Sequence, residues 1–249
     1  MGINMGKNRV LKWGLLGCFC LLLLIMLVHV FVTSSSPAPE PEPVPETPPG
    51  PLTGWTLCLD AGHGGYDGGA RGTVSGTAEK ELNLDVALRL ASLLQENGAQ
   101  VILTRESDTA LADEGASRKR RDLQYRVDCA KEAQVFLSIH MNEYRSENES
   151  GPQVFYRRGA EESRLLAGAL QEAMNANLSP ARPRVANTGE YYLLENLQIP
   201  AVLVECGFLS NRAEEKKLLT ADYRQQVAQS LLDGLLSYRQ LCQNLANGQ

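Results

Sequence analysis

The sequence predicts an α/β protein, a three-layer fold whose mostly parallel central sheet of about six strands is flanked by helices. Short apolar runs alternate along the chain with longer segments in which leucine and valine recur at helical spacing. The runs are apolar almost throughout, as strands buried on both faces are. Residues 55–60 (WTLCLD) read as the first strand. A helix follows over 81–97, with Leu82, Val86, Leu90 and Leu93 on one stripe, and Asn97-Gly98 ends it. Residues 100–104 are a second strand, and 118–133 a helix whose start is dense in charge. Residues 135–141 and 153–157 are strands, and 161–177 a helix. A short strand is expected at 191–194 and a strongly apolar one at 200–205. A long helix closes the chain over 222–242, with Val227, Leu231, Leu235 and Tyr238 on one face.

The chain has 249 residues, 43% of them hydrophobic and 21% charged, ordinary for a globular protein. A net charge of -5 argues against a nucleic-acid partner held on a basic face. Residues 1–33 read as a membrane anchor or signal segment. Lys7, Arg9 and Lys12 precede an apolar run over 13–32, about long enough to cross a bilayer. A cleaved signal peptide has a shorter apolar region, roughly 7–15 residues, so the length favours a retained anchor. The positive charges place the N-terminus in the cytoplasm and the body outside it. Residues 34–52, with alternating proline and glutamate, form a stiff acidic linker. The rest, 53–249, makes one catalytic-sized α/β domain. Its cysteines, Cys58, Cys129, Cys206 and Cys242, are scattered without a CxxC pair, which argues against both a disulfide framework and a cysteine zinc site.

In parallel α/β sheets ligands bind outside the carboxyl ends of the strands. His63 follows the end of the first strand in LDAGHGG, His140 lies near the end of VFLSIHMN, and Glu205 near the end of AVLVECGFLSN. Glu79 lies just before the next helix and can face the same edge. Singly, each has a bland explanation. A histidine after a strand is often a hydrogen-bonded structural residue, and an acidic residue at a helix start suits the helix dipole. Together they suggest more. Two histidines and a carboxylate form a catalytic zinc set with water in the fourth position, and a second carboxylate can take the water's proton. The body has no other histidine, and no serine sits in a nucleophile-elbow pattern. Arg105, Arg126 and Asn142 are candidate contacts to substrate carboxylates or amides, each equally explicable as a structural pair.

At these residues the chain resembles the zinc-dependent N-acetylmuramoyl-L-alanine amidases of type 3, over about residues 55–238. LDAGHGGYDGGA resembles the first histidine motif of that family, and AEKELNLDVALRL the segment supplying a glutamate ligand. ILTRESD with LQYRVDCAKEA resembles the intervening signature, LSIHMN the second histidine motif, and PAVLVECGFLSN the motif of the catalytic glutamate. The resemblance implies a six-stranded sheet, a Zn²⁺ cofactor held by His63, Glu79 and His140, and Glu205 as catalytic base. It selects Glu79 over Glu81, which the residues alone leave open. It implies cleavage of the amide between N-acetylmuramic acid and L-alanine, with peptidoglycan as substrate. The layout of anchor, short spacer and single domain is closest to the germination-specific spore cortex amidases, which clear stems for muramic-δ-lactam formation. An envelope amidase for daughter-cell separation is the alternative, and a non-catalytic peptidoglycan-binding module a more distant one. The implied location is extracytoplasmic, anchored or secreted, in the cell envelope or the forespore intermembrane space. The implied partners are the membrane, through the N-terminal segment, and an activator protein.

Overall fold

The computed structural model describes residues 21–29 and 49–248. Two compact units result, residues 1–48 and 49–249. In the first, residues 21–29 are helical and exposed; the remainder of the expected span and nearly all of the acidic linker lie outside the described residues. Among the described residues no helix is long and apolar enough to cross a membrane.

The second unit holds six strands, β1 (Thr56–Ala61), β2 (Gln100–Leu103), β3 (Val135–Asn142), β4 (Gln153–Tyr156), β5 (Asn187–Thr188) and β6 (Ala201–Phe208). The helices are α1 (Glu79–Glu96), α2 (Arg118–Cys129), α3 (Glu161–Leu178), α4 (Tyr192–Asn196), α5 (Arg212–Leu218) and α6 (Ala221–Ala246). The sheet order is β2-β1-β3-β6-β4-β5. All pairings are parallel except β4 with β6. The exception has a physical cause. A parallel return needs a crossover, usually helical, and residues 143–152 contain no helix, so the chain comes back antiparallel.

Alternation along the strands sorts the core into two layers. Leu57 and Leu59, Leu137 and Ile139, and Val202 and Val204 point to the layer covered by α1, α3 and α6. Cys58, Phe136 and Leu203 point to the thinner layer under α2 and α4. The expected stripe of the last helix is buried, with Val227, Leu231 and Leu235 fully enclosed. The same alternation puts His140 and Glu205 on the α2/α4 face, since they share the parity of Phe136 and Leu203. All four body cysteines are free.

One local expectation fails, and one helix forms that the sequence did not announce. No strand forms at 191–194; helix α4 begins there, and the outer strand is the two-residue β5. The aromatic pair Tyr191-Tyr192 suits a strand, but Leu193 and Leu194 are both buried in one layer, which a two-residue period forbids and a helical turn permits. Helix α5 carries no apolar stripe long enough to announce it. It starts on Asn211, whose side chain accepts from the backbone N–H groups of Ala213 and Glu214.

Candidate metal centre

Four expected residues meet at the carboxyl end of the sheet. His63 leaves the end of β1, Glu79 opens α1, and His140 and Glu205 are register partners on β3 and β6. Beyond that pair the register slips by one residue on β6, so that Asn142 faces Phe208. Such bulges bend a strand and re-aim its side chains beside functional sites.

Glu79 is the hub. It is 3% exposed. Its Oε1 accepts from the Met141 N–H at 3.1 Å and from Asn83 Nδ2 at 3.1 Å, and lies 2.9 Å from His140 Nδ1. Its Oε2 accepts from the Ala70 N–H at 2.8 Å and lies 3.1 Å from His63 Nε2. Burial opposes ionisation, but the contacts with His140 and His63 outweigh it and hold the carboxyl far below the usual range. One donor atom from each of His63, Glu79 and His140 can be chosen so that all lie within 4.8 Å of one another. That is the chemistry of a two-histidine, one-carboxylate cation site, with ligand bonds of about 2.0–2.2 Å for zinc.

His63 adopts a left-handed backbone, φ 62°, uncommon for a residue with a side chain. The surroundings hold it there. Its carbonyl accepts from Arg126 Nη2 at 2.8 Å, and the flanking glycines are tied by Gly62 N–H to Ile139 O and Gly64 N–H to Asp67 O. Asp67 Oδ1 lies 3.0 Å from Nδ1, an electrostatic contact not aligned as a hydrogen bond. Two glycines are needed for space. A Cβ on Gly62 would lie 2.3 Å from the His140 ring, and one on Gly69 2.4 Å from Glu79 Oε2. Gly69 and the Ala70 N–H therefore pass tightly against Glu79 and His63. Gly62→Ala is expected to cost about 1–3 kcal/mol by overpacking and to lower the thermal midpoint, read by circular dichroism.

Glu205 differs from Glu79. It is half-buried, and its Oε2 is shut from solvent without a hydrogen-bond partner. Burial pushes its pKa up to about 7, with Glu79 adding to the rise and the histidines opposing it. A carboxyl poised near neutrality within reach of a cation site is suited to accept and return a proton. The site opens into a cavity of about 380 Å³ lined by His63, His140, Glu205, Lys119, Glu190 and Tyr191, among others.

The arginines belong to the scaffold. Arg105 is 4% exposed and donates to the carbonyls of Ala61, Gly62, Lys80 and Ser107. Arg126 is 3% exposed and spans Asp60, Asp122, Ala61 and His63. Neither is free for substrate. Sequence reasoning missed Asn83, which bridges Glu79 and the Gly62 carbonyl. Its one signal is its place one turn after Glu79. Asp67, one such step after His63, went unassigned in the same way.

With this geometry in view, the chain matches the model of the N-acetylmuramoyl-L-alanine amidase family over residues 57–237. It is 41% identical over 194 residues to the germination-specific N-acetylmuramoyl-L-alanine amidase of Bacillus subtilis (strain 168), covering 76% of this chain and 81% of that one. It is 38% identical over 192 residues to the N-acetylmuramoyl-L-alanine amidase LytC of the same organism, covering 76% of this chain but 36% of LytC. The solved CwlD amidase of Clostridioides difficile, in complex with the GerS lipoprotein, superposes with a TM-score of 0.72 at 34% identity over 75% of this chain and 99% of that one. The six-stranded sheet, the cleft at its carboxyl edge and these matches agree: the chain belongs to the N-acetylmuramoyl-L-alanine amidases, hydrolases of peptidoglycan.

Proposed function

We propose that the protein is a zinc-dependent amidase of the spore cortex. It severs the bond between muramic acid and L-alanine so that stem-free muramic acid can be converted to muramic-δ-lactam. The convergence of His63, Glu79 and His140 beside Glu205 is the observation that carries the zinc reading. The residues fit such an ion, because three neutral or anionic donors of the right kinds share one locus and the nearby Glu205 carries an unpartnered buried oxygen. Bound there, zinc polarises a carbonyl and lowers the pKa of water toward neutrality. His63, Glu79 and His140 hold the ion, and Asn83 with the amides of Ala70 and Met141 orients Glu79. Glu205 accepts the proton that water loses as its oxygen adds to the acyl carbon. It then delivers that proton to the nitrogen of L-alanine as the C–N bond breaks. The products are the lactyl carboxylate and a free stem peptide.

The germination-specific relative supports the cortex assignment. The N-terminal charges and apolar run support attachment outside the cytoplasmic membrane. The CwlD complex with a lipoprotein supports an activator partner. The body, residues 51–249, incubated with peptidoglycan, is expected to release intact stem peptides by mass, to stop on chelation and to resume with zinc. Persistence after complete zinc removal would exclude the metal reading. Spores of a deletion strain are expected to lack muramic-δ-lactam; normal lactam content would exclude the cortex role.

A further inference from the structure

Most charges lining the cavity are committed to one another. Arg126 is shared by Asp60 and Asp122, and Asp67 faces His63. Of the basic run 118–121, Arg118 donates to the Ala112 carbonyl and stacks over Tyr66 at 3.7 Å. Arg121 gathers the carbonyls of Asp113, Glu114 and Ala116. Lys119 alone of that run lines the cavity. Its side chain is 74% exposed, and its one ionic contact, to Asp67 Oδ2, is long at 3.7 Å. Exposed pairs of this kind hold by no more than about 1 kcal/mol, so the ammonium is available to a better partner.

Its position says which partner. Asp67 touches His63 with one oxygen and Lys119 with the other. The ammonium therefore lies within about 9 Å of the imidazole, no farther than two to three residues of extended peptide at roughly 3.3–3.6 Å each. Leu123, Leu193 and Leu203 give the same cavity an apolar wall. Glu190 and Glu205 also line the cavity and repel anions, which leaves Lys119 as its available cation. We infer that Lys119 is a specificity-determining residue that binds the free α-carboxylate on the second residue of the stem peptide. The inference rests on the amidase reading above, which places the scissile bond at His63, Glu79 and His140. Residue two of a peptidoglycan stem is a γ-linked glutamate whose α-carboxyl is either free or amidated, so Lys119 distinguishes the two.

The test uses the full chain with zinc and two soluble muramoyl peptides that differ only in that group, carboxylate against carboxamide. Wild type is expected to favour the carboxylate by roughly tenfold or more in kcat/KM, the difference residing in KM. In Lys119→Met the ratio of the two falls to within about twofold, in Lys119→Arg the preference returns, and in Lys119→Glu it inverts. The proposal is overturned if wild type cleaves both peptides equally, or if Lys119→Met keeps the wild-type ratio. In either case cleavage itself leaves the amidase reading standing. Cleavage of neither peptide by wild type would remove both.

Discussion

Glu205→Gln is expected to lower hydrolysis of the muramoyl amide by roughly 10²–10⁴-fold while zinc binding is kept. The substitution preserves shape, and Glu205 is not one of the three clustered donors. What it removes is the only function an amide cannot perform, acceptance of a proton. The carboxyl stands ready for that task because burial has brought its pKa up to about 7, where it can take a proton and give it back. Stability is not expected to fall. A neutral amide relieves a buried charge that has one oxygen without a partner. Single-turnover hydrolysis and zinc content by mass spectrometry, measured on one preparation, decide the matter. Loss of zinc in step with activity would make Glu205 a ligand, and full activity with zinc bound would dismiss it as the base.

The strands and their end residues were legible because burial on both faces writes itself as uninterrupted apolar sequence, and the ligand rule for parallel sheets then points at whatever polar residue follows. His63, His140 and Glu205 are found that way. Glu79 is not. Its neighbour Glu81 has the same type and nearly the same place, and the residues separate them only through tertiary contacts with Ala70 and Met141. The β4 reversal was hidden for a related reason, since direction depends on what fills the connection and not on the strand's own residues. Charge left most open. Arg105 and Arg126 read equally as substrate contacts or as structural pairs, and both are buried against carbonyls and carboxylates distant in sequence. A guanidinium's five donors make it as useful for fixing an awkward loop as for gripping a substrate, and only the partners tell which. Here the loop is the strained turn that aims His63.

Arg126→Met is therefore expected to cost about 3–5 kcal/mol, far more than a surface arginine. The substitution keeps volume but strands Asp60, which is fully buried and otherwise held by Ser138 Oγ at 2.6 Å and Thr104 Oγ1 at 2.7 Å. It also removes the donor that pins the His63 carbonyl, so zinc affinity falls with stability. The pH dependence identifies the cause. In wild type, burial alone would raise the Asp60 pKa, but Arg126 and the two hydroxyls bring it below its ordinary value. A depressed carboxyl stabilises the fold above its unfolded pKa, about 3.9, and that contribution disappears as pH falls through the folded value. Without Arg126 the sign reverses. Burial then dominates, the folded state binds the proton more tightly than the unfolded chain, and stability rises as pH falls toward about 4. Urea midpoints at pH 7 and pH 5 should show the gap between wild type and Arg126→Met narrowing at the lower pH. The double variant with Asp60→Asn should recover much of the loss at pH 7, because the stranded charge is gone. A gap that is the same at both pH values, with no recovery in the double variant, would mean that Arg126 acts through packing and the His63 turn instead of through the buried charge it neutralises.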